Sequence, residues 1–187
     1  MKITDIKIFK MSAPTEHKSD TNNWLFVKIY TDSGIHGVGE GSLQYKDAAL
    51  EAEILDFGKF LIDKDPFQIE FIWNSFYRRV TWTGGAVTMS AISAIDIALW
   101  DIKGKALDVP VYELMGGKVR EKIPLYANGW FEGLITPEEH SKAAKEVINN
   151  GYRCLKFYPF IGKYSLENEN LNSGVELVEA VRNSVGE

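Results

Sequence analysis

Ser90-Ala91-Ile92-Ser93-Ala94-Ile95-Asp96-Ile97-Ala98-Leu99-Trp100-Asp101-Ile102-Lys103-Gly104-Lys105 is the stretch on which the fold turns. With Val87 and Met89 just before it, apolar residues cover nearly every side of a helix predicted over roughly 86–105. A helix with so little polar surface belongs at the centre of a domain, covered by several neighbours. Gly84-Gly85 breaks the chain ahead of it, and a short helix after Pro110 ends at Gly116-Gly117. Asp96 and Asp101 on such a helix are expected to make structural hydrogen bonds or ion pairs, with Lys103 or Lys105 as partners.

Outward toward the N-terminus the period changes from helical to alternating. Residues 3–11 and 23–31 read as strands, and Asp32-Ser33-Gly34 reads as a hairpin turn leading to a third strand, His36 to Leu43. A three-stranded antiparallel meander follows from that order. Asp47 opens a helix whose apolar positions Leu50, Ile54, Phe57 and Leu61 recur every three or four residues. Asp65-Pro66 reads as an N-cap with proline at the first helical position, before Ile69, Ile72 and Phe76.

Toward the C-terminus, Lys122 to Trp130 and Arg153 to Tyr158 read as strands. Thr136-Pro137-Glu138-Glu139 is a capping box, and Gly151 sits at the C′ position of the helix it opens. A further helix is expected over 170–184 with Val175, Val178 and Val181 on its apolar face, and with Glu176 and Glu179 solvated. Strand, helix, strand, helix at this spacing is two consecutive units of a parallel sheet. The expected organisation is an α+β capping domain over residues 1–117, then residues 118–187 as the first two βα units of an incomplete (β/α) TIM-like barrel. Two parallel strands cannot bury both their faces, so the barrel reads as truncated before its third strand.

Composition narrows the function classes. A net charge of -5 with scattered basic residues gives no electrostatic case for nucleic acid. No uninterrupted apolar run is long enough for a membrane span, and Met1 to Ile6 does not resemble a signal peptide. The single cysteine, Cys154, excludes an internal disulfide and cysteine-rich zinc sites, and makes a reducing cytoplasm the expected compartment. His17, His36 and His140 show no ligand spacing.

Chemistry concentrates on residues 153–158. Alternation places Cys154, Lys156 and Tyr158 on one face and Leu155 and Phe157 on the other. If the apolar face packs on helices, Lys156 points into a barrel near the C-terminal end of its strand, where barrel enzymes carry their catalytic groups. Lysine in such a setting serves as a base; the alternatives are that it snorkels to solvent or pairs with a structural carboxylate. Asn128 and Trp130 share a face at the end of the first strand, placed to hydrogen-bond and stack on a polyol; core packing is the alternative for Trp130.

The helical stretch quoted above, continued by Val109-Pro110-Val111-Tyr112-Glu113-Leu114-Met115-Gly116-Gly117, resembles the end of the capping domain of the enolase superfamily. More narrowly it resembles the mandelate racemase and muconate-lactonizing group, and within it the acid-sugar (galactonate- and mannonate-like) dehydratases. The resemblance implies abstraction of the proton α to a carboxylate, with the enediolate held on Mg2+. It places two lysines, one residue apart, at the end of the second barrel strand. Lys156-Phe157-Tyr158 aligns there with tyrosine second, and Lys156 to Phe160 is similar to the lysine-phenylalanine-acid-proline run of some sugar-acid dehydratases. Lys156 and Tyr158 are therefore the catalytic candidates, either of which would be the base. Tyrosine, with an ordinary pKa of about 10, needs a cationic neighbour for that role.

By the same resemblance, the magnesium ligands are three carboxylates on the third to fifth barrel strands, so none is expected in this chain. Cap loops line the family's substrate pocket. The matching candidates are His17 in the loop Ser12–Asn22, Gln44 and Tyr45 in the turn Ser42–Asp47, and Trp82, each with an ordinary exposed loop residue as the alternative. The implied partners are a small sugar-acid substrate and a second copy of the chain in a homo-oligomer, without nucleic acid or membrane. The expected function is the N-terminal portion of a magnesium-dependent lyase, inactive alone. The alternatives are a racemase, epimerase or cycloisomerase of the same group, or a non-catalytic remnant.

Overall fold

A computed structural model describes residues 1–12, 23–78, 81–160 and 168–186. The chain divides into two compact units, Met1–Val119 and Arg120–Glu187. In the first, β1 (Ile3–Ser12), β2 (Asn23–Thr31) and β3 (His36–Glu40) form an antiparallel sheet in the order β1-β2-β3. The turn between β2 and β3 closes at Gly34, whose φ of +83° is a conformation that side chains resist. β3 is shorter than its predicted span to Leu43. Beyond Glu40 the pairing passes to Gly41, whose N–H donates to the Leu25 carbonyl, and to Ser42, whose Oγ accepts from Leu25 N–H at 3.0 Å. A side chain has taken over the last rung.

Three helices cover one face of this sheet. These are α1 (Asp47–Leu61), α2 (Ile69–Arg78) and α3 (Ala86–Leu107), with a short α4 (Val111–Leu114) after them. Leu25, Val27 and Ile29 of β2 pack with Leu50, Ile54, Phe57 and Leu61 of α1, Ile72 and Phe76 of α2, and Ile92, Ile95, Leu99 and Ile102 of α3. Phe57 and Phe76 stack with ring centroids 4.2 Å apart. As its composition requires, α3 lies in the middle, against α1, α2, β2 and β3. α2 begins three residues later than predicted. Asp65 Oδ1 accepts from Phe67 N–H at 3.0 Å and its carbonyl from Gln68 N–H, so the Asp65-Pro66 segment closes a separate turn before the helix.

α3 also lies unusually close to β3. A Cβ added to Gly37 would stand 1.9 Å from the Ala98 carbonyl oxygen, and one on Gly39 would stand 1.9 Å from that of Ala94. Asp101 closes the same seam, accepting from Val38 N–H at 2.9 Å and from Lys105 Nζ at 2.6 Å. Asp96 is half-buried on α3. Desolvation, followed by the nearby Glu70 charge, raises its pKa above the ordinary carboxylate value, against a lowering hydrogen bond from Trp100. Both aspartates are structural, as predicted for Asp101 with Lys105.

In the second unit, α5 (Pro137–Asn149) and α6 (Asn168–Val185) pack together, and Ser141 Oγ donates to the Ala180 carbonyl at 3.0 Å. The apolar face of α6 differs from the predicted one. Gly174, Leu177 and Val181 are buried, whereas Val175 and Val178 are exposed. The true stripe is i, i+3, i+7, and valine alone did not mark it. Glu176 and Glu179 are exposed, as expected.

The two predicted strands reduce to one parallel bridge, Ala127 with Leu155. Ala127 N–H donates to the Cys154 carbonyl and Lys156 N–H to the Ala127 carbonyl, each at 2.9 Å. Two residues confine the ladder. Pro124 has no N–H to give, and Gly129, at φ +80°, turns the chain away.

Two stability measurements test these packings. Gly39→Ala pushes a methyl into helix backbone that cannot step aside, and should cost at least about 3 kcal/mol by urea denaturation; a loss under about 1 kcal/mol would refute the close approach. Leu177→Ala should cost roughly 2–5 kcal/mol, while Val175→Ala should stay within about 0.5 kcal/mol. Equal losses would return α6 to its predicted face.

Candidate functional site

Around the Ala127–Leu155 bridge the alternation of side chains works as the sequence implies. Cys154, Lys156 and Tyr158 are exposed, while Leu155 and Phe157 are half-buried. Leu155 and Phe157 border a groove with Ile148 of α5 and Val178, Val181 and Val185 of α6, so the apolar face is the helix face. The pairing puts Tyr126 and Asn128 on the Lys156 side of the bridge. Lys156 Nζ stands 6.0 Å from the Tyr126 ring centroid and 5.8 Å from that of Tyr158. Two phenols thus flank the one amine. Tyr126 was missed in the sequence, although it lies two residues before Asn128 and shares its face by simple alternation.

Trp130 breaks the pattern. The left-handed turn at Gly129 carries it off the Asn128 face and onto the opposite one. Its ring meets Phe157 at 5.4 Å, Phe131 at 5.9 Å and His140 at 6.1 Å between centroids. Its indole Nε1–H donates to the Lys156 carbonyl at 2.9 Å. The predicted shared face of Asn128 and Trp130 is therefore corrected, and Asn128-Gly129, a common turn pair, was the signal for it. Asn128 itself is exposed.

His140 completes the cluster. It is 1% exposed, with Nδ1 2.9 Å from the Thr136 carbonyl, and was not singled out in the sequence. α5 is fixed at this end by the predicted capping box. Glu139 N–H donates to Thr136 Oγ1 at 3.2 Å, and the Glu139 carboxylate accepts from the N–H groups of Thr136 and Ile135, both at 2.9 Å. Those backbone bonds, first Thr136 and then Ile135, hold the Glu139 pKa below its ordinary value.

The remaining candidates lie in the first unit. Gln44 and Tyr45 are exposed on the turn between β3 and α1, with Tyr45 at φ +60°. Trp82 is 90% exposed just ahead of α3. A shallow cleft lies at the adjoining ends of β3 and α3, lined by Ser42, Met89, Ser90 and Ser93 among others; none of the three candidates lines it. His17 falls outside the described residues. Among the described residues no three His, Cys, Asp or Glu side chains come together as a metal site, and no helix is long and apolar enough to cross a membrane.

Known proteins share the sequence and fold of this chain. Residues 3–116 match the profile of the mandelate racemase / muconate lactonizing enzyme N-terminal domain. A D-galactonate dehydratase of Pectobacterium atrosepticum is 37% identical over 187 residues, all of this chain and 46% of that protein. One from Variovorax paradoxus is 47% identical over 133 residues, 71% of this chain and 32% of its own length. Among solved structures, a member of the enolase superfamily from Salmonella Typhimurium superposes with a TM-score of 0.88 at 34% identity, covering 100% of this chain and 52% of that one. A mandelate racemase/muconate lactonizing enzyme from Jannaschia sp. CCS1 gives 0.85 at 26% identity, covering 100% and 52%. The chain thus spans about half the length of its solved relatives and less than half of the two curated ones.

The Glu139 carboxylate gives this region a pH signature. A depressed folded pKa means that the cap's contribution is present above the ordinary carboxylate value and is lost as pH falls through the folded one. Amide exchange at Ile135 and Thr136, corrected for its intrinsic pH dependence, should lose protection on acidification in the parent chain and not in Glu139→Gln. Parallel behaviour of the two would remove the carboxylate from the cap.

Proposed function

This chain belongs to the mandelate racemase / muconate lactonizing enzyme family of the enolase superfamily, and we propose that it forms the N-terminal part of an acid-sugar dehydratase acting on an aldonate. In this reading residues 1–117 are the capping domain and residues 118–187 begin the barrel. The observation that carries it is the setting of Lys156, at the end of the second bridged segment with its amine near the rings of both Tyr126 and Tyr158. Two relatives with the name D-galactonate dehydratase support an aldonate as the substrate class.

The reaction sets what the residues must do. Loss of water from a 2,3-dihydroxy acid breaks the C2–H bond and the C3–O bond. The C2 proton goes to a base, the C3 hydroxyl leaves with a proton as water, and the resulting enol becomes a 2-keto-3-deoxy acid. Lys156, as the neutral amine, takes the C2 proton and becomes an ammonium whose charge lies beside the developing enediolate. Tyr158 orients the carboxylate or the hydroxyl from the same face, and is the base instead if Lys156 serves only as its cationic neighbour. Asn128, on that face, is a hydrogen-bond partner for the sugar hydroxyls. In the cap, Gln44, Tyr45 and Trp82 are exposed and available as substrate contacts; His17 has the same proposed role.

Magnesium would stabilise the enediolate in a complete family enzyme. The described residues of this chain do not furnish a site for it, since no three acidic or histidine side chains converge. In this reading the magnesium ligands are not among the described residues, and residues 1–187 alone are expected to show no turnover.

The test joins residues 1–187 to the part of the Pectobacterium atrosepticum D-galactonate dehydratase that lies beyond the matched segment. With magnesium, the chimera should dehydrate D-galactonate, and Lys156→Met should lower kcat by at least about 100-fold. Residues 1–187 alone should show none. Turnover by the short chain, or by the Lys156→Met chimera at the parent rate, would sink the reading. Exchange of the substrate α-proton without loss of water would move the protein to the isomerases of the same family.

A further inference from the structure

A parallel ladder has a fixed sequence of rungs. Around the Ala127–Leu155 bridge the first two are made, Ala127 N–H to the Cys154 carbonyl and Lys156 N–H to the Ala127 carbonyl, each at 2.9 Å. The next rung of a regular ladder would bring Gly129 N–H to the Lys156 carbonyl. At that point the chain instead swings away with Gly129 at φ +80°. The Lys156 carbonyl nevertheless has a donor in line, the indole Nε1–H of Trp130 at 2.9 Å.

We propose that Trp130 is a positioning residue for Lys156, its indole N–H standing in for the missing backbone rung. The role rests on the reading of Lys156 as the proton-handling group. The ring is well placed to hold that donor still. It is half-buried among Phe131, His140 and Phe157, on the side of the bridge away from the Lys156 amine. His140 is anchored to the first turn of α5 through the Thr136 carbonyl. The carbonyl of Lys156 is thereby tied to α5 while its side chain stays free on the opposite face. A turn at Gly129 would otherwise leave the end of this segment, where a base must be held to a fraction of an ångström, without a partner on one side. This assignment removes Trp130 from the substrate-stacking role that its place in the sequence suggested.

Two variants separate the N–H from the ring. Trp130→Phe keeps an aromatic ring and loses the donor. Replacing Trp130 by 3-benzothienylalanine through amber suppression keeps the bicyclic shape with sulfur in place of N–H, and covers the case in which phenylalanine disturbs packing. In residues 1–187, amide exchange at Lys156, whose own N–H is held by the Ala127 carbonyl, should quicken by about fivefold or more in both variants, because the segment opens more readily once the bond to its carbonyl is gone. Exchange at Ala144 and Leu177, in α5 and α6, should not change. In the galactonate dehydratase chimera, kcat should fall about tenfold or more with KM within about twofold. Unchanged exchange at Lys156 overturns the surrogate rung, and equal loss of protection in α5 and α6 reduces Trp130 to a packing residue. A raised KM at constant kcat overturns positioning in favour of substrate stacking. Retention of turnover by the Lys156→Met chimera would instead defeat the reading of Lys156, leaving the exchange result to stand by itself.

Discussion

The first unit depends on how closely a helix can approach a strand. Gly37 and Gly39 of β3, and Gly41 just after it, face α3, and the carbonyls of Ala98, Ala94 and Ser90 lie opposite them. With glycine at alternate positions the strand presents bare backbone, and alanines at 91, 94 and 98 give the helix a small surface to match. The helix backbone then sits almost on the sheet. That depth lets Ile92, Ile95, Leu99 and Ile102 reach partners on α1, α2 and β2 together. Any side chain on β3's inner face would lift α3 and open gaps on all its other sides, because a close-packed interior has little slack to absorb the shift.

This explains why the helix was the most legible part of the sequence. A segment apolar on every side has only one place to go. The order of strands and helices around it followed from turn residues and helical spacing, and the Thr136 capping box formed as read. What the sequence hid were features set by contact rather than by period. Nothing in the spacing of Val175, Val178 and Val181 says that Leu177 is buried, or that Gly174 is covered by the Phe160 ring. The start of α2 was displaced because Asp65 can cap a turn as readily as a helix; both use the same carboxylate-to-N–H bond.

The candidate site shows the same division. Face alternation at Lys156 was readable from residue order, because a strand has a period of two and no other freedom. It failed at Trp130 for one identifiable reason. A single residue with positive φ inverts the direction of the next side chain, so a period-two reading cannot be carried through Asn128-Gly129. Tyr126, on the near side of the turn, obeys the rule and was overlooked for want of a partner to weigh it against. His140 was invisible for another reason. Its ring lies near both Trp130 and Phe157, and the first of those contacts follows from the broken alternation.

A lysine in the role proposed for Lys156 makes opposing demands on its segment. The amine must be reachable by a substrate, so its face cannot be packed, while the backbone beneath it must be fixed. In a long ladder both neighbouring strands meet the second demand through main-chain bonds. Here the segment before Lys156 is secured by main-chain rungs and the segment at Lys156 by a side chain from the opposite face. A side-chain donor has an advantage at such a place. It can hold the carbonyl from below without extending the neighbouring strand, which leaves the chain after Asn128 free to turn aside. On that account the glycine and the tryptophan act as a pair: Gly129 removes backbone from the mouth of the segment, and Trp130 restores the bond that the removal costs.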